Sequence, residues 1–400
     1  MKATIYLKKM SYNKMIKYTF GLAFFIYSFL TIKAQEVQYI PYRIANKWGY
    51  SDTSGKLILE ANFQSAEFFK DGVAFVKKDS FYYLINIKGE IIGGEFLQHG
   101  NYMHGLCPVQ LTNGMYIYIN TLGNMAIKFL YKAAEDFSEE RAIVKIGLKL
   151  GIINTKGEWV KEPGFASSSI YYKGGFIMTE FNGNYNYLNK QGKVLVLPSN
   201  VSCAGPFSEG LAAVYVKKEV LEKGKITLHY MLEFIDTTGA IVLDSFINDG
   251  TDYSEYINYV SDFKNGKAII KVSNNMGFDF FFIDKKKRFS PAYSAAQNIG
   301  DSLFIAAFGF FKPRIKIINK NLFPLGVFDE NPIQIGEMSE GLVGVKNSMG
   351  FWGFASSNCK ILIPYIYSKV GIFYNSFSWV IKQDKEGYIN SSGKEFFREE

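Results

Sequence analysis

The stretch that decides the fold is KWGYSDTSGK, from Lys47 to Lys56. It joins an apolar, aromatic segment to an Asp-x-x-Gly sequence. An Asp or Asn side chain can accept hydrogen bonds from the backbone two residues further on, and glycine supplies the positive φ that a tight turn needs. The stretch therefore predicts a strand that ends near Asp52 and a hairpin turn that contains Gly55.

This turn recurs through the chain at intervals of about 35 residues, with two longer intervals of 47 and 48 residues. Ten units are found in this way. The glycine position is kept at Gly55, Gly89, Gly123, Gly157, Gly192, Gly239 and Gly393. It is replaced by Lys287, Leu322 and Cys359 in the other three units, where we expect a strained or altered turn. Three residues earlier stand Asp52, Asn86, Asn120, Asn154, Asn189, Asp236, Asp284, Asn319, Ser356 and Asn390.

The residue five positions before each glycine slot is always apolar or aromatic, which is typical of the inward side of a strand. These residues are Tyr50, Leu84, Tyr118, Ile152, Tyr187, Phe234, Phe282, Ile317, Phe354 and Tyr388. A second motif, FSEGLAAV at Phe207–Val214, recurs in related forms such as FSEERAIV at Phe137–Val144. Each unit is thus predicted to be a meander of three short strands.

The paired motifs KWGYSDTSGK and FSEGLAAV resemble the bacterial WG (KWG) repeat family. The resemblance extends over about residues 37–398, although the full dipeptide occurs only at Trp48-Gly49 and Trp352-Gly353. It implies a repeat scaffold and no particular activity. One meander cannot bury its own faces, so units must stack or close into a ring. We predict an all-β fold of ten units, either a propeller-like ring or rings or an open superhelical array.

The first 34 residues have the pattern of a signal peptide. The run from Tyr18 to Ile32 carries no charge, lysines precede it, and cleavage after Ala34 leaves the repeat array at 35–400. The translation start is open between Met1, Met10 and Met15. We therefore expect a secreted or periplasmic protein without a membrane span after cleavage. Removing the six lysines of this leader lowers the net charge from +8 to +2, which gives no reason to expect nucleic-acid binding.

The two long intervals are insertions, near 215–228 and 244–260. The first is predicted to be a lengthened hairpin with lysines at Lys217 and Lys218, and the second carries the tyrosines Tyr253, Tyr256 and Tyr259. Insertions in repeat proteins lie in loops and often on a binding face. These five residues are the candidate binding residues, and tolerated surface insertion is the alternative explanation.

The sequence contains no recognisable catalytic, metal-binding or cofactor-binding motif. Glu139 and Glu140 occupy a slot that recurs in other units, which favours a structural role. Cys107, Cys203 and Cys359 are expected to be small buried hydrophobic residues, with one disulfide left open as an alternative. We therefore expect a non-enzymatic scaffold for a protein or glycan partner, of open oligomeric state. The alternatives are a glycan hydrolase with carboxylates in a central cleft and a structural surface adhesin.

Overall fold

The computed structural model describes residues 39–165, 167–168, 172–181, 184–222, 224–244, 247–248, 251–252, 257–274, 277–286, 288–309 and 313–398. Within these ranges the regular secondary structure consists of β-strands. The expected leader, Lys287, Tyr253 and Tyr256 lie outside the described residues. In the described part of the chain, no helix has the length and apolar character needed to cross a membrane.

Ten small sheets, the blades, follow one another along the chain. Blade 1 contains β1 (Ile40–Ile44), β2 (Lys47–Ser51) and β3 (Leu57–Phe63). Blade 2 contains β4 (Ser65–Ala66), β5 (Val73–Lys78), β6 (Phe81–Asn86) and β7 (Ile91–Phe96). Blade 3 contains β8 (Gln98–His99), β9 (Leu106–Gln110), β10 (Tyr116–Asn120) and β11 (Met125–Tyr131). Blade 4 contains β12 (Ala133–Ala134), β13 (Arg141–Ile146), β14 (Lys149–Asn154) and β15 (Trp159–Phe165). Blade 5 contains β16 (Ser167–Ser168), β17 (Phe176–Phe181), β18 (Asn184–Asn189) and β19 (Val194–Val196).

The later blades repeat this plan, with additions around blades 6 and 7. Blade 6 contains β20 (Val201–Ala204), β21 (Leu211–Glu222), β22 (Lys225–Asp236) and β23 (Ile241–Leu243), and a two-stranded pair follows, β24 (Ile247–Asn248) with β25 (Thr251–Asp252). Blade 7 contains β26 (Ile257–Val260), β27 (Lys267–Asn274) and β28 (Gly277–Asp284). Blade 8 contains β29 (Ala295–Gly300), β30 (Leu303–Phe308), β31 (Arg314–Asn319) and β32 (Pro324–Val327). Blade 9 contains β33 (Gln334–Ser339), β34 (Leu342–Lys346), β35 (Trp352–Ser356) and β36 (Ile361–Tyr367). Blade 10 contains β37 (Lys369–Val370), β38 (Phe377–Lys382) and β39 (Lys385–Asn390), and β40 (Phe397–Arg398) ends the described chain.

The three-stranded meander of each unit is present, and most blades add a fourth, short strand in front of it. This extra strand is only two residues long in blade 2, where Ser65 and Ala66 pair with Lys77 and Val76. Strands within a blade are antiparallel neighbours in sequence order. The unit boundary in the structure therefore lies one short strand earlier than the hairpins of the sequence suggest.

The predicted Asx turn is confirmed. The Asp52 carboxylate accepts hydrogen bonds from the backbone N–H of Ser54 at 2.8 Å and of Lys56 at 3.0 Å. Gly55 has a φ of 88°, whereas Leu322 and Cys359 hold the same position with a φ of 66° each. Because an L-residue is disfavoured in this left-handed region, the strain expected in these two units is present.

The glycine of the Trp-Gly dipeptide has a steric role. A Cβ on Gly49 would lie 2.4 Å from the carbonyl oxygen of Leu59, and one on Gly353 would lie 2.5 Å from that of Ile363. At both places the register between the second and third strands of the meander shifts. The dipeptide therefore allows two backbones to approach closely at a bulge.

The ring is closed between blades 10 and 1. Strand β40 pairs in parallel with β1, with Arg43 opposite Phe397 and Ile44 opposite Arg398. The backbone N–H of Ala45 donates to the carbonyl oxygen of Arg398 at 3.0 Å. The rings of Trp48 and Tyr388 also meet edge to face, with centroids 6.0 Å apart. One closed ring of ten blades thus replaces the alternatives of two smaller rings or an open array.

The hydrophobic core is divided into small clusters between adjacent blades. One cluster joins Tyr118 of blade 3 to Phe137, Val144 and Ile153 of blade 4. The inward position identified in the sequence is fully buried in nine units, and Tyr388 is the partly exposed exception. Each blade is therefore stabilised by its neighbours, as expected for a repeat protein.

Candidate functional site

The loops that join the first and second strands of the blades form a ring on one face of the molecule. Neighbouring strands are antiparallel, so these loops and the Asx turns lie at the same end of each sheet. A contact between the two sets supports this placement, because the Arg141 Nε of blade 4 donates to the Lys190 carbonyl oxygen of blade 5 at 2.9 Å. We call this side of the molecule the loop face.

The FSEGLAAV motif builds the contacts between loops of successive blades. The ring of Phe207 packs on Tyr187 of the preceding blade, with centroids 4.7 Å apart. The Ser208 hydroxyl donates to the Phe263 carbonyl oxygen of the next blade at 2.7 Å, and the Glu209 carboxylate accepts from the Gly266 N–H at 2.9 Å. The motif is thus a clasp that fixes each blade to both of its neighbours.

Other units use the same clasp. The Glu139 carboxylate accepts from the Gly175 N–H at 3.0 Å, and Glu340 accepts from the Ser376 N–H at 2.8 Å. These turn acids serve the architecture, in agreement with the structural role inferred for Glu139 from its recurrence. Glu140 contributes through its backbone, whose N–H donates to His104 Nε2 at 3.3 Å.

Two glutamates on the loop face stand where the architecture does not need a side chain. The position two residues before the first residue of the clasp motif is glycine in four units, at Gly100, Gly205, Gly336 and Gly371, but it is Glu67 in blade 2 and Glu135 in blade 4. Its backbone role is the same in both cases. The Tyr118 hydroxyl donates to the Glu135 carbonyl oxygen at 2.6 Å, as the Tyr187 hydroxyl donates to that of Gly205 at 2.5 Å. The two carboxylates are therefore additions to the repeat.

Glu67 lines a cleft beside the closure of the ring, and Glu135 lines a neighbouring cleft between the loops of blades 3 and 4. The first cleft, of about 390 Å³, is lined by Glu67 and Phe68 of blade 2 and by Tyr374 and Tyr388 of blade 10. The second, of about 400 Å³, is lined by Glu135 and its neighbours in blade 4. Both clefts are also lined by Lys70 and Asn101. We call the two clefts together the closure trough.

Among the described residues, blade 1 contributes no clasp loop beside the closure trough. In a regular unit the clasp aromatic of the next blade covers the inward aromatic. At blade 10 the inward residue Tyr388 meets Phe68 from blade 2, with ring centroids 4.7 Å apart and planes at 77°. Tyr374 beside it is 56% exposed. Within the described part of the chain, aromatic side chains therefore line the open cleft next to Glu67.

The carboxyl groups of the trough are held in unusual surroundings. Glu67 Oε1 lies 3.4 Å from His99 Nε2. Since a carbonyl oxygen can only accept, His99 Nδ1 donates to the Gly100 carbonyl oxygen at 2.9 Å, which directs Nε2 towards Glu67. Burial raises the pKa of Glu67, and the nearby His99 lowers it by a smaller amount. Burial, and then the charge of Asp136, raise the pKa of Glu135.

The other polar groups of the trough are already bonded. The Lys70 ammonium donates to the Tyr102 carbonyl oxygen at 2.6 Å. Both Asp136 carboxylate oxygens accept from Asn101, from its backbone N–H and its side-chain amide, each at 2.8 Å. By contrast, the Glu135 carboxylate has no hydrogen-bond or ion-pair partner among the described residues. Within that part of the chain there is also no cluster of three or more potential metal ligands.

The insertion residues lie on the opposite face. The lengthened hairpin is confirmed as β21 and β22, twelve residues each, and its turn follows the second strand of blade 6 and so lies away from the loop face. Lys217 and Lys218 point to opposite sides of this hairpin. The Lys217 ammonium lies 5.9 Å from the centre of the Tyr230 ring, and Lys218 forms a 2.7 Å ion pair with Glu233, a buried residue.

The far part of the hairpin is an exposed arm. Leu221, Ile226, Leu228 and Tyr230 share its outer side with Lys217, and they are between 53% and 72% exposed. Of the tyrosines in the second insertion, Tyr259 is 53% exposed, whereas Tyr253 and Tyr256 lie outside the described residues. The structure therefore shows two separate candidate surfaces, and the sequence pointed only to the second.

A further cleft, of about 620 Å³, lies between blades 8 and 9 and is lined by Asp329, Glu330, Lys360 and Cys359. It borders the strained turn at Cys359 and carries charges of both signs.

Cys359 and Cys107 are buried, as expected, and burial raises the pKa of both thiols. Cys203 is exposed, which corrects the expectation that all three cysteines are buried. The three thiols are free, so none of them forms a disulfide.

A closed ring of ten four-stranded or three-stranded antiparallel blades defines the class of this molecule: it is a ten-bladed β-propeller. The family model described as "WG containing repeat" matches residues 48–80, 118–149, 151–185, 187–218 and 352–385. The chain is therefore a WG-repeat protein, as the two motifs of the sequence indicated.

The similarity to one solved structure supports the fold alone. A chain from "Crystal structure of the eukaryotic initiation factor" is similar with a TM-score of 0.50 and 8% identity, over 90% of this chain and 95% of that one. A chain from "Crystal Structure of Mitotic Checkpoint Complex" has a TM-score of 0.31 and 9% identity, over 63% and 84%. One from "Crystal structure of the tricorn protease" has 0.30 and 11%, over 81% and 44%. No curated protein matches the chain in sequence.

Proposed function

We propose that this protein is a non-enzymatic binding scaffold that works in the periplasm or after secretion and holds a protein or glycan partner in the closure trough. One observation carries the proposal. Glu67 and Glu135 occupy a slot that four other units fill with glycine, and both line the trough. Side chains that the fold does not need, placed in a cleft, are candidates for recognition.

The repeat itself accounts for the other acids of the clasp loops. Glu139, Glu209 and Glu340 each accept a backbone hydrogen bond from the next blade. The chemistry of these side chains is therefore used to hold the ring together. A rigid ring with one unused, partly aromatic trough is suited to present a pre-formed binding site, which lowers the entropic cost of binding.

The extracytoplasmic part of the proposal depends on the leader. Residues 1–34 carry six lysines and an uncharged run before Ala34. Expression of the full chain in a bacterial host, followed by N-terminal sequencing of the exported protein, should give Gln35 as the first residue. An intact N-terminus in the cytoplasmic fraction would contradict this part and leave the binding proposal unaffected.

The binding proposal is tested by replacing both glutamates with the glycine that four other units have at this position. Glu67→Gly and Glu135→Gly introduce the residue that other blades have at this slot, so the ring should keep its melting temperature. A photo-crosslinking residue in place of Met103, which lines the trough, should capture a partner in intact cells, and the double variant should lose it. Capture that is unchanged in the folded double variant would refute the trough as the binding site.

The arm is a second proposed contact surface, on the opposite face, and we propose that the second insertion contributes to the same contact. Lys217, Tyr253, Tyr256 and Tyr259 are its candidate residues, supported by the exposed apolar side of the arm. Deleting 245–256, which leaves β26 and the buried Ile257 in place, should abolish partner recovery without a change in melting if this surface binds. Because the two surfaces lie on different faces, deletion and glycine variants distinguish them.

A glycan hydrolase is the second candidate function, because Glu135 has a raised pKa and stands next to Asp136. A raised pKa suits a general acid. However, both oxygens of Asp136 are occupied by Asn101, which leaves no free carboxylate beside Glu135 to act as nucleophile or base. Release of reducing ends from peptidoglycan or another polysaccharide, lost in Glu135→Gln, would favour the hydrolase over the scaffold.

A further inference from the structure

We infer that the partner of the closure trough is a basic polypeptide segment, which places one cationic side chain at Glu67 and another at Glu135. This inference rests on the proposed function, because it names the chemistry of the partner bound at that same site. It is carried by the charge of the trough, by the bonding state of its carboxylates and by its aromatic walls.

The charge of the trough is opposite to that of the protein as a whole. Among its lining residues, the acids Glu67, Glu135 and Asp136 face one base, Lys70, which gives a net charge of −2. Residues 35–400 together carry +2, since 1–34 hold six of the excess positive charges. A local negative field on a slightly positive protein attracts a cationic partner and disfavours an anionic one.

The two added carboxylates lack an internal cation. Glu135 has no ionic partner in the described part of the chain, and the neighbour of Glu67 is His99, which is charged only when protonated. The one lysine of the trough directs its ammonium group to the Tyr102 carbonyl oxygen. A partly desolvated carboxylate without a counter-charge is costly, and a bound ammonium or guanidinium group removes that cost.

The walls next to Glu67 are aromatic. Phe68, Tyr374 and Tyr388 line the same cleft as this carboxylate, and Phe68 and Tyr388 form an edge-to-face pair. Aromatic faces beside a carboxylate suit a lysine or arginine side chain, whose cation interacts with the rings while its methylene groups pack on them. Rings of this kind also suit sugars, so the test must separate charge from stacking.

The two clefts lie on either side of the blade 3 loop. Lys70 and Asn101 contribute to both, and Glu67 and Glu135 belong to loops two blades apart. A single small cation can occupy only one of the clefts. An extended chain with two separated basic side chains can occupy both, and linking two contacts in one ligand raises affinity through effective concentration.

The experiment uses the mature chain, 35–400, and fluorescence anisotropy. The probes are a short labelled peptide with two lysines separated by tyrosine and glycine, the same peptide with norleucine for lysine, the same peptide with glutamate for lysine, and a labelled oligosaccharide of N-acetylglucosamine. We expect binding of the lysine peptide alone, with an affinity that falls as salt screens the charges. Glu67→Gln and Glu135→Gln should each weaken it by about tenfold or more.

Glu140→Gln is the matched control, because it makes the same change on the loop face of blade 4 at an exposed residue outside the trough lining. It should bind the lysine peptide as the unchanged protein does. Melting curves of all three variants establish that the ring is folded. Equal binding of the lysine and norleucine peptides, or equal loss in Glu140→Gln, would overturn the inference.

The failures of the inference and of the proposed function are distinguishable. One outcome is that the oligosaccharide binds, that the Glu67 and Glu135 variants lose this binding, and that the lysine peptide does not bind. The trough is then a site for another class of partner, and only the inference is wrong. If the lysine peptide does not bind and the glycine variants also keep the cellular crosslink, both are wrong. Binding of the lysine peptide that depends on both glutamates supports both.

Discussion

The seam between blades 3 and 4 and the seam between blades 10 and 1 hold the same ring together in different ways. At the regular seam, Phe137 packs on Tyr118 with ring centroids 4.9 Å apart, and Ile153 fills the wall behind them. At the closure seam, Ser51 of blade 1 occupies the repeat position that Ile153 occupies in blade 4, directly before the Asx residue. A two-residue parallel strand, β40, completes blade 1. The regular seam is made by the repeat, whereas the closure seam is made by residues that occur once.

The Asx turns show the same difference. A Cβ on Gly123 of blade 3 would lie 2.3 Å from the Ile92 carbonyl oxygen of blade 2, so that turn presses on the preceding blade. A Cβ on Gly55 of blade 1 would meet nothing closer than Tyr42 of its own blade, at 3.8 Å. The closure seam is therefore the looser one, and the first cleft of the closure trough, which Tyr374 and Tyr388 of blade 10 line, lies beside it. Recognition can use this sector because the repeat constrains it least.

The largest effect is expected from opening the closure seam. Phe396 is 1% exposed and packs on Phe377, so Phe396→Ala should lower the free energy of unfolding by about 3–5 kcal/mol. Phe137→Ala, at a side chain that is 0% exposed in the regular seam, should cost a similar amount. Hydrogen exchange should distinguish the two, because only Phe396→Ala should expose the amides of β1 and β39 before the rest of the ring. Uniform exchange in both variants would show that the seams are equivalent.

The turn glycines should differ by a smaller amount. Both have positive φ, 76° at Gly123 and 88° at Gly55, so an alanine costs about 1 kcal/mol at either place for its backbone conformation. Gly123→Ala adds the contact with Ile92 and should cost about 2–4 kcal/mol in total. Urea unfolding of the two variants measures the difference. Equal losses would mean that the turn of blade 1 is as tightly packed as that of blade 3.

Replacing Ser51 is expected to stabilise the protein, in contrast to the substitutions above. Its hydroxyl is buried and has no hydrogen-bond partner among the described residues, whereas the buried hydroxyl of Ser378 donates to the Gly371 carbonyl oxygen at 3.0 Å. Ser51→Ala should raise the free energy of unfolding by about 1 kcal/mol, and Ser378→Ala should lower it by about 1 kcal/mol. Blade 9 already has Ala355 in this slot. Destabilisation by Ser51→Ala would point to a partner for this hydroxyl.

The smallest effect concerns Glu67 and pH. Burial raises the pKa of its carboxyl above the ordinary value of 4.5, so the folded protein binds this proton more tightly than the unfolded chain. The associated stability is present below that value and is lost as the pH rises through the folded pKa. Because the side chain is 54% exposed, the effect is small. In urea unfolding, the free energy of unfolding of Glu67→Gln should equal that of the unchanged protein at about pH 4 and be slightly higher at about pH 7. A reversed order would show that His99 has a larger influence on the pKa of Glu67 than burial has.

The sequence predicted the features whose causes are local. The Asx turn depends on a side chain and on backbone groups two and four residues away, so Asp52 and Gly55 reveal it directly. The inward position is equally local. Its burial is incomplete only at Tyr388 of blade 10, which meets Phe68 of blade 2 instead of an aromatic residue of the adjacent blade 1. The fourth strand was missed because Ser65 and Ala66 are too few residues to show an alternating pattern.

The site was missed for a related reason. The insertions are the most visible departures from the repeat in the sequence, and they indicated Lys217 and Tyr259, which do not line the closure trough. The available signal was a departure within a regular slot, where Glu67 and Glu135 replace glycine. Its meaning depended on knowing which blades meet at the closure, and the pairing of Arg43 with Phe397 joins residues that are 354 positions apart. No local pattern predicts such a contact.

The parallel pairing of β40 with β1 also sets an order of events for the growing chain. Each regular seam joins neighbouring units, so blades can assemble one after another as they emerge from the ribosome or from an export channel. The first strand must then wait, with an unpaired edge, until the last residues arrive, and closing so long a loop is entropically costly and slow. The timing of assembly thus depends on the two ends of the chain, and a chaperone that protects an open strand edge would act at β1.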